Sequence, residues 1–384
     1  MMRRTIDRRK LVTMGLAALL AGCAVIPKGA QRPGPVDTPS TEPTEALPTD
    51  ETRHRIALLV PMSGSNGNVG QAIANATTMA LLDTNASNLR ITTYDTAAGP
   101  QEAARKAVQE GNKLILGPLL GSNVPSVLAE ARPAKVPVIS FSNDTSVGGP
   151  DVFVMGHIPE QSIMRTVQYA RARGSQNFAI LSPDGEYGER ADAAMRQAVS
   201  AFGGSVVSTE HYARGNTSIV SAAQRLKARG GYDTVLIAEG ARLAIQAAGV
   251  LKPSGAGSTR LLGTELLSGE SSVTRASAMR GTLFSAVSDA RYKRFVDSYE
   301  ARFGSQPYRI ATLGYDAVLL TLRVARDWKV GRAFPIRELR SEDGFLGLDG
   351  AFRFQRSGVV ERAMEVREVR NGEVVVAEAA PARF

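Results

Sequence analysis

One stretch constrains the fold more than any other, Arg55–Leu82, which reads RIALLVPMSGSNGNVGQAIANATTMALL. Ile56-Ala57-Leu58-Leu59-Val60 is an unbroken apolar run closed by Pro61. Such a run suits a strand buried on both faces. The polar loop Ser63–Gly70 follows, and then Ile73, Ala76, Ala80 and Leu81 recur at helical spacing. The loop therefore joins the C-terminal end of a strand to the N-terminus of a helix. In an open α/β sheet this is where ligands bind, because free backbone N–H groups point into the crevice.

The same alternation continues down the chain. Leu89–Tyr94, Leu114–Leu116, Val136–Phe141 and Val152–Met155 read as strands, with helices over Gln101–Glu110 and Asn123–Ala131, the latter capped by Ser122. The pattern restarts with a helix over Ser162–Arg173 and strands at Phe178–Leu181, Val206–Val207, Thr234–Ala238, Leu261–Gly263 and Leu283–Val287. This predicts mainly parallel sheets covered on both faces, in two α/β lobes with a cleft between them. Helices follow at Arg291–Phe303 and Ile310–Trp328. The tail after Gly347 alternates as strands do, and Asn371-Gly372 signals a hairpin.

The N-terminus reads as an export and anchoring device. Arg3, Arg4, Arg8, Arg9 and Lys10 precede the apolar run Leu11–Ala21, which is too short to span a bilayer comfortably. Leu20-Ala21-Gly22-Cys23 resembles the lipobox of bacterial lipoproteins, and Cys23 is the only cysteine. Residues 1–22 are thus expected to be a signal peptide, with Cys23 as the lipid attachment site. Residues 23–53 hold six prolines among small and polar residues, which predicts a disordered tether. The formal charge of +9 includes five bases and one acid in residues 1–22, so the remainder is mildly basic. Its arginines are dispersed, with no basic–aromatic interleaving of the kind that reads nucleic acid.

IALLVPMSG, LILGPLLGSNV, PVISFSND, DGEYGER, TVLIAEG, LLGTE and LGYDAVLL occur in one order. In that order and spacing the chain resembles type I periplasmic binding proteins, most of all the leucine-binding-like branch. With the lipobox and FLGLDGAFRFQRSGVVERAMEV it resembles the penicillin-binding protein activator family of Gram-negative bacteria. The resemblance implies two Rossmann-like lobes joined by three chain crossings, near Gly156–Pro159, Val287–Arg291 and Pro335–Gly347. Lobe one then covers about 54–156 and 288–335, and lobe two about 157–287 and 336–384.

In amino-acid-binding relatives, lobe one holds the ligand carboxylate and an acid of lobe two the ammonium. The resemblance maps this cleft to Ser63, Gly64, Gly121, Ser122, Ser140, Ser142, Asn143, Tyr187, Glu239 and Glu265. Two departures argue against a leucine-like ligand. Asp144 stands where a carboxylate-binding run would end, and Gly240 replaces the aromatic residue often found beside Glu239.

Residue chemistry speaks against an enzyme. His54, His157 and His211 are scattered, with no metal-ligand spacing, no Walker A sequence and no dinucleotide fingerprint. No cofactor or metal is expected. Two classes remain: an envelope protein that contacts a penicillin-binding protein, a peptidoglycan synthase, or a solute-binding protein serving an ABC importer of an amino acid or other small polar ligand. Ala24-Val25 after Cys23 lacks the aspartate that retains lipoproteins in the inner membrane. An outer-membrane anchor facing the periplasm is therefore expected, which favours the first class.

Overall fold

A computed structural model describes residues 52–214, 218–252, 259–381 and 384. The signal peptide, Cys23 and nearly all of the tether lie outside these residues.

The first lobe is built from β1 (His54–Val60), α1 (Gly67–Asp83), β2 (Leu89–Asp95), α2 (Pro100–Gln109), β3 (Leu114–Leu116), α3 (Val124–Ala131), β4 (Val138–Ser140) and β5 (Val152–Val154). The strands form one sheet in the order β2-β1-β3-β4-β5, all parallel. Alternation along β1 divides its side chains between two cores. Ile56, Leu58 and Val60 enter one, and Ala57 and Leu59 enter the other beneath α2 and α3. The unbroken apolar run is therefore required: every position of the strand faces a packed layer.

The second lobe comprises α4 (Pro159–Ala172), β6 (Asn177–Pro183), α5 (Glu186–Phe202), β7 (Ser205–Tyr212), α6 (Ser218–Arg229), β8 (Thr234–Ile237), α7 (Ala241–Leu251), β9 (Arg260–Leu262), α8 (Ser272–Arg275) and β10 (Leu283–Ala286). Here β6 repeats the logic of β1. Phe178 and Ile180 pack towards α4 and α5, while Ala179 and Leu181 pack towards α6 and α7. The first turns of α1 and α5 also match. A Cβ on Gly70 would stand 1.8 Å from the carbonyl oxygen of Pro61, and one on Gly188 would stand 1.7 Å from that of Pro183. In each lobe a glycine lets the helix, α1 or α5, approach the end of the strand that precedes it.

The chain then returns to the first lobe through α9 (Tyr292–Phe303) and α10 (Thr312–Ala325). A small sheet follows, of β11 (Phe345–Gly347), β12 (Gly350–Phe354) and β13 (Val360–Arg362). Finally β14 (Glu365–Arg370) pairs antiparallel with β10, and β15 (Glu373–Glu378) forms the outer edge. The seven-stranded order is β15-β14-β10-β9-β8-β6-β7. Asn371 and Gly372 make the hairpin turn with φ of 52° and 85°, as their sequence predicts.

One boundary differs from the sequence reading. The resemblance implies that residues 336–362 belong to lobe two, but Leu339, Phe352, Phe354 and Val360 are buried in the core of the first lobe. Val359 bridges to Val154 at the edge of its sheet. The third crossing therefore falls between β13 and β14, because β14 is the first tail strand to pair with β10. Ser122 also differs: it lies in a short 3-10 turn, and no side-chain cap is made to α3.

Candidate functional site

Parallel strands deliver their C-terminal ends to one side of each lobe, and the candidate residues lie in the loops that leave those ends. In the first lobe, Asp95 at the end of β2 organises the first loop. Its carboxylate accepts from the backbone N–H of Met62 and of Ala97, both at 2.8 Å, and lies 3.4 Å from Ser63 Oγ. These backbone donors hold Asp95 below the usual carboxylate range. Ser63 and Gly64 are exposed, and Gly64 takes φ +71°.

The next two loops close on each other through Gly121. A Cβ there would stand 2.8 Å from Cβ of Asp144 and 2.9 Å from Ser142 Oγ. Ser142 is buried, its Oγ accepting from the Asp144 N–H at 3.0 Å, while Ser122 and Asn143 are exposed. Ser140 is fully buried, donates to the Pro118 carbonyl at 3.0 Å and accepts from the Ser142 N–H at 3.2 Å. Its hydroxyl shapes the loop and does not reach the cleft.

In the second lobe, Tyr187, Glu239 and Glu265 form one wall, completed by Arg214 and Thr264. The Tyr187 hydroxyl lies 2.9 Å from Thr264 Oγ1 and 3.4 Å from Glu265 Oε1. Burial, then the Glu265 charge, pushes the Tyr187 phenol up. Burial also pushes the Glu265 carboxyl up to about 7, and its Oε2 is buried without a hydrogen-bond partner. Glu239 contrasts with it. Tyr212 Oη donates to its Oε2 at 2.7 Å, Arg214 Nε donates to the same oxygen at 2.8 Å, and the Gly240 N–H donates to Oε1 at 2.9 Å. The Arg214 guanidinium stands 5.5 Å from the centroid of the Tyr187 ring.

Arg190 connects the lobes. From α5 it donates two bonds to the Glu160 carboxylate, at 2.6 and 2.8 Å, and a third from Nη2 to the Asn143 carbonyl of the first lobe at 2.9 Å. Such a planar fork can serve a carboxylate and a carbonyl at once. Nothing in the sequence pattern of GEYGERADAA marks this arginine, since a charge on an exposed helical turn is usually solvated.

The three crossings are joined by buried charges. Asp349, fully buried, accepts from Arg309 at 2.6 Å and Thr312 at 2.9 Å, with His157 Nε2 at 2.7 Å. Burial alone would raise its pKa, but Arg309 and His157 hold it well below the usual range. Asp316 beside it is pushed up by burial and by the Asp349 charge, and accepts from the Leu348 N–H at 2.6 Å. Arg362 donates to the Met155 carbonyl at 2.7 Å, and Arg367 to the Val287 carbonyl at 2.6 Å. The first and second crossings are thus each tied to the strands that flank the third by an arginine.

Among the described residues, no group of three or more His, Cys, Asp or Glu side chains is placed to hold a metal ion. Ser182, His211 and Asp192 do meet, which the scattered histidines of the sequence did not suggest. Yet Ser182 is fully buried and its hydroxyl donates to Asp192 at 2.6 Å, with His211 Nδ1 at 3.2 Å. That geometry ties α5 and β7 to the end of β6.

Two parallel α/β lobes, joined at a charged hinge and lined by polar loops at their strand ends, define a bilobed binding protein. The chain belongs to the periplasmic binding protein family, whose model matches residues 54–373. The fold resembles that of a protein from Rhodospirillum rubrum provisionally named a branched-chain amino acid ABC transporter, with a TM-score of 0.72, 20% identity, and 84% of this chain and 99% of that chain covered. It also resembles LivJ, a branched-chain amino acid transporter substrate-binding protein of Streptococcus pneumoniae solved with isoleucine, at a TM-score of 0.63 and 20% identity over 86% of this chain and all of that one (100%). Among curated proteins, an uncharacterized protein of Rickettsia prowazekii is 28% identical over 162 residues, 41% of this chain and 43% of that one. The penicillin-binding protein activator LpoA of Glaesserella parasuis is 26% identical over 144 residues, 37% of this chain and 24% of that protein. The matches span less than half the length of these curated relatives.

Proposed function

We propose that this chain is an envelope lipoprotein of the penicillin-binding protein activator type, a non-catalytic regulator of peptidoglycan synthesis that acts by protein–protein contact. The observation that carries the reading is the occupied carboxylate of Glu239, which Tyr212, Arg214 and the Gly240 N–H already satisfy. An amino acid's ammonium group would have to displace Arg214 to use it. Asp144 beside Gly121 adds a negative charge where a ligand carboxylate would lie. Partial similarity to proteins named penicillin-binding protein activator supports the same reading. Cys23 and the proline-rich residues 23–53 support a periplasm-facing anchor in the outer membrane. About thirty stiff residues reach roughly 90 Å at about 3.1 Å each, which raises the local concentration of the domain at a distant partner.

The test mixes the purified full-length chain with synthases of the same organism and follows lipid II consumption. Binding with a raised polymerisation or crosslinking rate is expected. No binding and no rate change with any of them overturns the reading. For the anchor, Cys23→Ala is expected to leave the chain unprocessed or released from the membrane fraction; wild-type processing and membrane recovery overturn that part.

A second reading is favoured by Glu265, whose Oε2 is buried and unpartnered. A small cation or ammonium ligand would satisfy it, with Ser63, Gly64, Gly121, Ser122, Ser142, Asn143 and Tyr187 around the remainder of the ligand. On this reading the protein is a solute-binding component of an ABC importer. Calorimetry with the common amino acids separates the two: micromolar binding lost in Glu265→Ala supports transport, and its absence supports the regulator.

A further inference from the structure

The end of the second lobe away from Glu239 and Glu265 carries a different site. There the first residues of β9 and β10 and the last of β14 open onto a cavity of about 520 Å³. Arg173, Lys252, Arg260 and Arg370 line it, together with Tyr169 and one acid, Glu368. Glu368 pairs with Arg370. Among the described residues the direct contacts of the other three cations are to uncharged groups, although Lys252 also feels the Glu368 charge. The Arg173 guanidinium lies 3.5 Å from the centroid of the Tyr169 ring. Lys252 Nζ donates to the Arg280 carbonyl at 2.9 Å, and Arg260 Nη1 to Ser175 Oγ at 2.6 Å. Burial and the neighbouring Arg280 charge hold Lys252 below the ordinary lysine range. Asp233 feels the Arg260 charge, but its oxygens are engaged by the N–H groups of Gln176 and Asn177 and by the Thr234 hydroxyl.

We propose that this pocket binds a phosphate-bearing ligand. Four cations against one carboxylate leave an excess of positive charge in a concave site, where fields are focused and a counter-charge is favoured. Two guanidinium forks and an ammonium suit the several acceptor oxygens of a phosphate. A phosphate monoester brings about two negative charges and a diphosphate more, whereas a single carboxylate leaves most of the excess in place. The concavity fits a small headgroup better than a flat protein face. The site is separate from the cleft, so the proposal stands whichever reading of the cleft holds.

The test is calorimetric titration of the full-length chain with inorganic pyrophosphate at low ionic strength. One saturable site is expected, weakening steeply with salt. Arg173→Gln and Lys252→Gln should each weaken binding about tenfold or more, and Arg173→Lys should weaken it less. Arg173 is exposed, so its substitution leaves the fold intact and decides the matter if Lys252→Gln is unstable. Binding unchanged in Arg173→Gln, or no saturation and hence an adventitious ion only, overturns the proposal, as does tighter binding of succinate than of pyrophosphate. Dihexanoyl phosphatidic acid, a lipid phosphate monoester, below its micelle concentration and glycerol 3-phosphate identify the source. Tighter binding of the lipid assigns a membrane headgroup, and equal or weaker binding assigns a soluble phosphate; both support the site.

Discussion

The imidazole of His157 lies 2.7 Å from the carboxylate of Asp349, joining the first crossing between the lobes to the segment that leads into the third. Neither residue is close to the other in sequence, and Asp349 is fully buried. The pair therefore ties hinge geometry to charge. Asp349 also holds Arg309, so its loss leaves buried cations without a counter-charge.

Asp349→Asn is accordingly expected to cost about 3–5 kcal/mol of stability at neutral pH, read by urea denaturation. Because the folded-state pKa of Asp349 is held down, its contribution is present above the unfolded carboxylate range and is lost as pH falls below about 4. The cost of the substitution should shrink in the same window. A cost that stays constant down to pH 3 would show that the carboxylate charge is not what stabilises the hinge.

Glu265 titrates in the opposite sense. Its folded-state pKa is raised to about 7, so the folded protein binds the proton more readily than the unfolded chain. Stability from this group is intact in acid and is lost as pH rises through about 7. Glu265→Gln should then stabilise the protein by about 1–3 kcal/mol at pH 8 and change little at about pH 4, below the unfolded carboxylate range. Equal effects at the two pH values would mean that Oε2 has a partner in solution.

The architecture could be read from the chain because its signals are local and repeated. Apolar runs such as Ile56–Val60 and Phe178–Leu181 fix strands buried on both faces. Of the candidate residues, Tyr187 and Glu265 do meet, with Glu239 reached through Arg214. What could not be read was pairing. Whether Glu239 is open or occupied depends on Arg214, which lies on another strand end and carries no pattern of its own. The resemblance assigns Ser140 to the cleft, yet its hydroxyl turns inward onto the Pro118 carbonyl. The allegiance of residues 336–362 was hidden because alternating strands have the same sequence pattern whichever sheet they cover.

Arg190→Ala should remove the contact between α5 and the Asn143 carbonyl and free Glu160. The expected result is a shift towards separated lobes, seen as a larger radius of gyration in small-angle scattering, while Arg190→Lys retains part of the contact. An unchanged radius in Arg190→Ala would mean that the hinge alone sets the opening.

Gly188→Ala places a methyl group 1.7 Å from the Pro183 carbonyl oxygen, which the backbone cannot accept without moving α5. A loss of about 1–3 kcal/mol or more is expected, comparable to overpacking a core, and Gly70→Ala should behave alike in the first lobe. Thermal unfolding checks both. A neutral result at Gly188 would show that the helix start is looser than its packing implies.

The order in which the strands are made has a consequence for biosynthesis. β10 leaves the ribosome long before β14, yet β14 is its antiparallel partner. The first lobe likewise waits for Leu313, Phe352 and Val360 to fill its core. During synthesis neither lobe can close, and the strand Leu283–Ala286 presents an unpaired edge of the kind that recruits other chains. An export route that keeps the chain unfolded until release avoids that hazard. By the same logic, a stop codon just after Arg362 would remove only a short tail and yet leave β10 as a bare edge of the second sheet.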